Sequence, residues 1–140
     1  MIYTVTFNPA LDYVMHTGTL INGKTNRSRG EELYFGGKGI NVSYVLSQLG
    51  VPTTALGFVA GFTGDALEAA VKDWGIKTDF VHLANGLTRI NVKLKGEEIT
   101  EFNASGVVLS ENEISALKEK LKALKEGDWL CLAGSIPKGG

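Results

Sequence analysis

The segment Gly36-Gly37-Lys38-Gly39-Ile40-Asn41-Val42-Ser43 constrains this chain more than any other. Three glycines in four positions remove Cβ atoms where a backbone must approach a neighbour closely or take positive φ. A helix predicted from about residue 40 to 49 follows at once, with Val42, Val45, Leu46 and Leu49 on one face and Gly50 at its end. The start of a helix presents unpaired N–H groups and partial positive charge, so it favours anions and hydroxyl oxygens. Lys38 adds a cation there and Asn41 an amide. Two other glycine motifs are excluded. Lys38 precedes Gly39-Ile40, which breaks the phosphate-loop order, and Val42 stands where a dinucleotide fingerprint needs its third glycine.

The remaining pattern alternates strand and helix. Residues 2–7 are β-branched and aromatic and stop at Asn8-Pro9; residues 54–59, 79–83 and 129–133 are further short strands. Residues 12–17 and 28–35 predict a strand pair around the turn Asn22-Gly23, and residues 89–95 and 98–102 a hairpin around Gly96-Glu97. Thr63-Gly64-Asp65 opens a second helix, striped by Leu67, Ala70, Val71 and Trp74 and stopped by Gly75. Ser110-Glu111-Asn112-Glu113 is a capping box that starts a third, with Ile114, Leu117, Leu121 and Leu124 inward, its lysines outward, and Gly127 at its close. The expected fold is therefore α/β, a mostly parallel sheet with flanking helices, over which the two hairpins stand as a small second sheet. The last strand has no covering helix after it, so the chain reads as the first half of a larger domain.

Composition narrows the function classes. A net charge of −1 offers no basic surface for nucleic acid or an anionic membrane, and no apolar run approaches the length of a membrane span. The single cysteine, Cys131, excludes an internal disulfide and lies in an apolar run where a buried thiol is expected. The N-terminal stretch lacks a basic region and meets Pro9 and Asp12 too early for a leader peptide, so a cytoplasmic protein is expected. His16 and His82 have no partner cluster in the sequence and are assigned to structure. Asp12 after the first strand, Arg89 at the start of the second hairpin and Ser135 after the last strand fall where such a sheet holds ligands. A carboxylate and an amide for hydroxyls, with cations for phosphate, describe a sugar-phosphate pocket.

Four motifs in order, Asn8-Pro9-Ala10-Leu11-Asp12, Gly36 to Ser43, Thr88-Arg89-Ile90-Asn91-Val92-Lys93 and Ala133-Gly134-Ser135-Ile136-Pro137-Lys138-Gly139, resemble the N-terminal half of the PfkB (ribokinase-like) sugar kinases. The resemblance implies an ATP- and Mg²⁺-dependent transfer of phosphate to a ketose phosphate, fructose 1-phosphate first and tagatose 6-phosphate second. It implies that Asp12 binds sugar hydroxyls, that Gly37 and Asn41 hold the ring, and that Lys38 sits near the transferred charge or the substrate phosphate. Arg89 and Ser135, with Lys24 or Arg27, would hold the phosphate already on the sugar. The hairpins at about 12–35 and 88–103 would form a lid that pairs in a homodimer. The family's catalytic base, the aspartate of a Gly-Ala-Gly-Asp segment, has no counterpart in residues 1–140, and the resemblance places it with most of the ATP site in a C-terminal half. Residues 1–140 alone are therefore expected to be catalytically silent. No metal ligand is assigned. Asn103-Ala104-Ser105-Gly106-Val107 departs from the family pattern, which often has proline after the glycine. Outside this class, two alternatives are a non-catalytic sugar-phosphate-binding module and a nicotinamide-binding domain, the latter lacking its third glycine.

Overall fold

The computed structural model describes residues 1–140. Strand β1 (Ile2–Thr6) lies at the centre of a parallel sheet between β4 (Thr53–Ala60) and β9 (Trp129–Leu132); β4 in turn pairs with the short strands β5 (Lys77–Thr78) and β6 (Val81–Leu83). All eight residues of β4 are buried, as expected of a parallel strand covered on both faces. Its side chains alternate. Leu56, Phe58 and Ala60 join Val5, Val81, Val107, Leu109 and Leu117 on one face, under helix α3 (Glu111–Leu121). Ala55 and Val59 join Leu11, Ile40, Leu67, Val71, Ile76 and Phe80 on the other, under α1 (Lys38–Gln48) and α2 (Gly61–Asp73). No helix is long and apolar enough to cross a membrane.

The second sheet has the order β3-β2-β7-β8, built from β2 (Ala10–His16), β3 (Gly30–Gly36), β7 (Arg89–Lys95) and β8 (Ile99–Phe102). The two hairpins merge because β2 and β7 pair in parallel, with Asp12 opposite Asn91 and Ala10 opposite Arg89. Sequence periodicity could place the hairpins but not this long-range register.

Several details differ from the sequence-based expectation. Helix α1 begins at Lys38, and its inward residues are Gly39, Ile40 and Ser43, while Val45 and Leu49 are 56% and 71% exposed. The cause is close packing on β1. Ser43 Oγ is buried at 2.8 Å from Thr4 Oγ1 and accepts from Thr53 Oγ1 at 2.9 Å. A Cβ on Gly39 would lie 2.6 Å from Thr6 Oγ1 and 2.8 Å from the Val5 carbonyl. The small residues at this i, i+4 spacing therefore face the sheet and the larger ones turn outward. Helix α2 starts at Gly61, ahead of Thr63, and α3 ends at Leu121, with Leu124 in the following turn. The expected strand at 79–83 is split into β5 and β6, and the segment from 17 to 29 is a long loop in which Asn22-Gly23 makes no tight hairpin turn. Within residues 1–140 strand β9 pairs with β1 alone, Trp129 and Leu132 are 75% and 59% exposed, and Cys131 is half-buried instead of buried.

Both histidines have carboxylate partners after all. His16 Nε2 lies 3.2 Å from Glu32, and His82 Nε2 lies 2.7 Å from Glu68. Glu68 also accepts from Thr78 Oγ1 at 2.6 Å and pairs with Lys72 at 3.0 Å, tying α2 to β5 and β6. Burial pushes the Glu68 carboxyl up, but hydrogen bonds from Thr78 and Lys72, with the charges of His82 and Lys72, together hold it below its ordinary 4.5. A carboxyl depressed in the folded state stabilises above the unfolded pKa and loses that contribution as pH falls through the folded one. Urea unfolding midpoints should therefore fall below pH 4.5. Glu68→Gln should show a shallower decline over that range, and parallel curves for the two proteins would contradict the assignment.

Candidate functional site

The polar cleft opens where β1, β3 and β9 end and β2 and β7 begin, beside the start of α1. A cavity of about 330 Å³ is lined there by Thr6, Asn8, Asp12, Lys38, Asn41, Arg89, Asn91 and Ser135, with Ala10, Gly36, Gly37 and Gly134 as its backbone walls. Gly37 caps α1 at φ 143° with no side chain completing the cap. A Cβ on Gly37 would collide with Thr6 Cγ2, and one on Gly36 would lie 3.0 Å from Asn41 Oδ1. The Ile40 N–H donates to Thr6 Oγ1 at 2.9 Å, which fixes the first turn against β1. No acidic residue occupies that turn, and Lys38 places a cation where the helix dipole is already positive. Such an end is unfavourable alone and favourable with a bound anion.

Arg89 starts β7, and Thr88 anchors it. The Ala60 N–H donates to Thr88 Oγ1 at 2.9 Å, and Thr63 Oγ1 donates to the Thr88 carbonyl at 2.7 Å. The Arg89 guanidinium is steered by backbone carbonyls, with Nη2 donating to Asn8 at 3.0 Å and Nη1 to Ala104 at 3.3 Å. Its Nε is buried without a partner. On the neighbouring strand, Asp12 accepts from Asn91 Nδ2 at 2.9 Å and faces Lys93 Nζ at 3.2 Å. The hydrogen bond to Asp12, opposed by partial burial and reinforced by the charges of Asp12 and Glu101, holds the Lys93 ammonium above its ordinary 10.5. At the far wall Gly134 (φ 111°) turns the chain after β9 to present Ser135. The following segment is fixed where the Leu109 N–H donates to the Lys138 carbonyl at 2.9 Å.

Six of the eight sequence-assigned residues thus converge on one cavity: Asp12, Gly37, Lys38, Asn41, Arg89 and Ser135. Lys24 and Arg27 do not. Both are exposed in the loop at 17–29 and line none of the cavities described here. Sequence reasoning missed Thr6, Asn8 and Asn91, although Asn91 lies two residues beyond Arg89 and so on the same strand face. It also missed an aromatic extension. A larger cavity of about 600 Å³ shares Asp12, Gly36, Gly37 and Asn41 and adds Tyr34, Phe35, Tyr44 and Trp74, the last two packed edge-on at 4.9 Å. No three His, Cys, Asp or Glu side chains gather into one cluster.

A carboxylate and amides for hydroxyls beside cations and a helix start for phosphate suit a sugar phosphate, and the sequence matches the profile of pfkB family carbohydrate kinases over residues 5–140. The chain belongs to the pfkB family of carbohydrate kinases. It is 46% identical over 137 residues to the 1-phosphofructokinase of Bacillus subtilis, a match covering 98% of this chain and 45% of that protein. It is 37% identical to the D-tagatose-1-phosphate kinase of Bacillus licheniformis, covering 99% of this chain and 45% of that one. The fold superposes on Escherichia coli phosphofructokinase-2, solved in complex with substrates and products, with a TM-score of 0.91 and 31% identity over 99% of this chain and 46% of that one. The chain thus spans about half the length of the curated relatives it matches. The glycine cluster is a packing device, with Gly37 and Gly39 set against Thr6 and Val5. Gly37→Ala combines steric collision with backbone strain and should cost about 2 kcal/mol, or roughly 6 °C in melting temperature. An unchanged melting temperature would show that the turn tolerates a side chain.

Proposed function

We propose that this chain supplies the acceptor site of an ATP- and Mg²⁺-dependent ketose-phosphate kinase, whose preferred acceptor is fructose 1-phosphate and whose product is fructose 1,6-bisphosphate. The observation that carries this is the single cavity that Asp12, Asn41, Lys38, Arg89 and Ser135 line together. The names of the relatives support the same class. Asp12, an acceptor-only carboxylate, accepts hydrogen bonds from the hydroxyls, and Asn41 and the Gly37 backbone hold the ring. Arg89, already oriented by two carbonyls, offers its remaining donors to phosphate, with Lys38, Ser135 and the start of α1. In phosphoryl transfer the protein's contribution is mainly positioning and charge stabilisation, and this set would supply the positioning. The base that takes the acceptor proton is expected, by resemblance, outside residues 1–140. Mg²⁺ neutralises the triphosphate when bound, and its ligands are expected with the nucleotide site.

The β3-β2-β7-β8 sheet would close over the acceptor as a lid and exclude water. Its side away from Asp12 carries the cross-strand row Leu33, Tyr13, Val92 and Phe102, with Leu33 and Phe102 48% and 61% exposed. We assign that row to a homodimer contact in a cytoplasmic enzyme. Phe102→Glu should convert the dimer to monomer in sedimentation, and an unchanged mass would remove the assignment. A second acceptor deserves its own arm in the assay, because one relative is named for D-tagatose 1-phosphate rather than the 6-phosphate.

The test is ADP release by the full-length protein with ATP, Mg²⁺ and, in turn, fructose 1-phosphate, tagatose 1-phosphate, tagatose 6-phosphate and fructose 6-phosphate. The highest kcat/KM is expected for fructose 1-phosphate, and residues 1–140 alone should release no ADP. Removing charged hydrogen bonds costs about 1.5–3 kcal/mol, so Arg89→Ala should lower kcat/KM by roughly 10- to 150-fold. Turnover of none of the four by the full-length protein would overturn the proposal.

A further inference from the structure

Asn91 is a polar residue only 7% exposed, in a strand otherwise flanked by Ile90 and Val92. Both ends of its amide are committed. Nδ2 donates to Asp12 Oδ1 at 2.9 Å, and Oδ1 accepts the Ala104 N–H at 3.1 Å. Rotating the amide by half a turn would set oxygen against carboxylate and NH₂ against N–H, so the two partners dictate one orientation. Lys93 approaches the other Asp12 oxygen at 3.2 Å. The carboxylate is thereby fixed at both oxygens, with lone pairs left over for hydroxyl donors.

The same residue, Ala104, also touches Arg89. The Ala104 carbonyl accepts Arg89 Nη1 at 3.3 Å, while Asn8 takes Arg89 Nη2 through its carbonyl at 3.0 Å and donates its own amide to the Ser105 carbonyl at 2.9 Å. Gly106, at φ +87°, leaves room for Asn8, whose Oδ1 a Cβ there would strike. Loop 103–106, the chain's return from the second sheet, is thus joined to Arg89 directly and to Asp12 through Asn91.

We propose that Asn91 is a positioning residue of the acceptor site: held by the Ala104 N–H, it aims the Asp12 carboxylate at the acceptor's hydroxyls and so couples loop 103–106 to acceptor affinity. This rests on the cleft holding a ketose phosphate. It predicts that Asn91 acts only through Asp12, a dependence that a purely structural asparagine would not show.

The experiment is a double-mutant cycle on fructose 1-phosphate affinity, read by calorimetry on the full-length protein. Asn91→Leu should weaken binding about tenfold, the scale of one lost buried hydrogen bond. In an Asp12→Asn background the same substitution should change affinity by no more than about twofold, the usual limit of independent behaviour. Ala104→Pro, in an exposed position, deletes the N–H while keeping the carbonyl for Arg89, and should show the same dependence on Asp12; it serves if Asn91→Leu does not fold. Equal losses in both backgrounds would overturn the positioning role alone. Failure of the unsubstituted protein to bind fructose 1-phosphate would instead overturn the acceptor assignment, and the positioning role with it.

Discussion

The approach of α1 to β1 is the contact on which the rest of the molecule depends. Gly37 and Gly39 let the helix start lie against Thr6 and Val5, and the Thr6 hydroxyl takes the Ile40 N–H that would otherwise be orphaned. One contact therefore packs the first helix on the central strand and aims its remaining N–H groups into the cleft. It also explains the buried Thr4–Ser43–Thr53 hydroxyl chain, since a larger side chain at 43 would lift the helix off the sheet. The turn that packs the helix also lines the cleft, so a substitution there changes both.

The second constraint is register. Pairing β2 with β7 in parallel places Asp12 against Asn91 and brings Arg89 alongside Ala10. A slip of one residue would turn Asp12 to the opposite side of the sheet and pull Leu11 out of the core. The cross-strand bonds from Asn91 and Lys93 to Asp12, and from Arg89 to Asn8 and Ala104, are what hold that register at the cleft. The polar network is thus the clasp that fixes the geometry of the cleft.

Much of this was legible in the sequence because it depends on local chemistry. The glycine cluster announced a close approach and a helix start, the capping box at Ser110 began α3, and strand–helix alternation gave the parallel sheet. Asp12, Asn41 and Arg89 stood out as polar residues at element ends. What escaped was long-range. The inward face of α1 was misjudged because Val45 and Leu49 are more hydrophobic than Gly39 and Ser43, yet the sheet selects for small size there. Asn91 is unremarkable as a letter in a strand and becomes informative only when β2 lies beside it. Lys24 and Arg27 show the reverse, cations plausible by type that the long loop at 17–29 keeps apart from the cavity.

The central claim is that one cleft grips a ketose phosphate at two ends, hydroxyls at Asp12 and Asn41, phosphate at Arg89, Lys38 and Ser135. The most direct test is a crystal structure of the protein with fructose 1-phosphate bound. The account predicts the phosphate within hydrogen-bond distance of Arg89 and the start of α1, with at least one ring hydroxyl on Asp12. A sugar lodged instead among Tyr34, Tyr44 and Trp74, with Arg89 and Asp12 still bonded only to the protein, would contradict it.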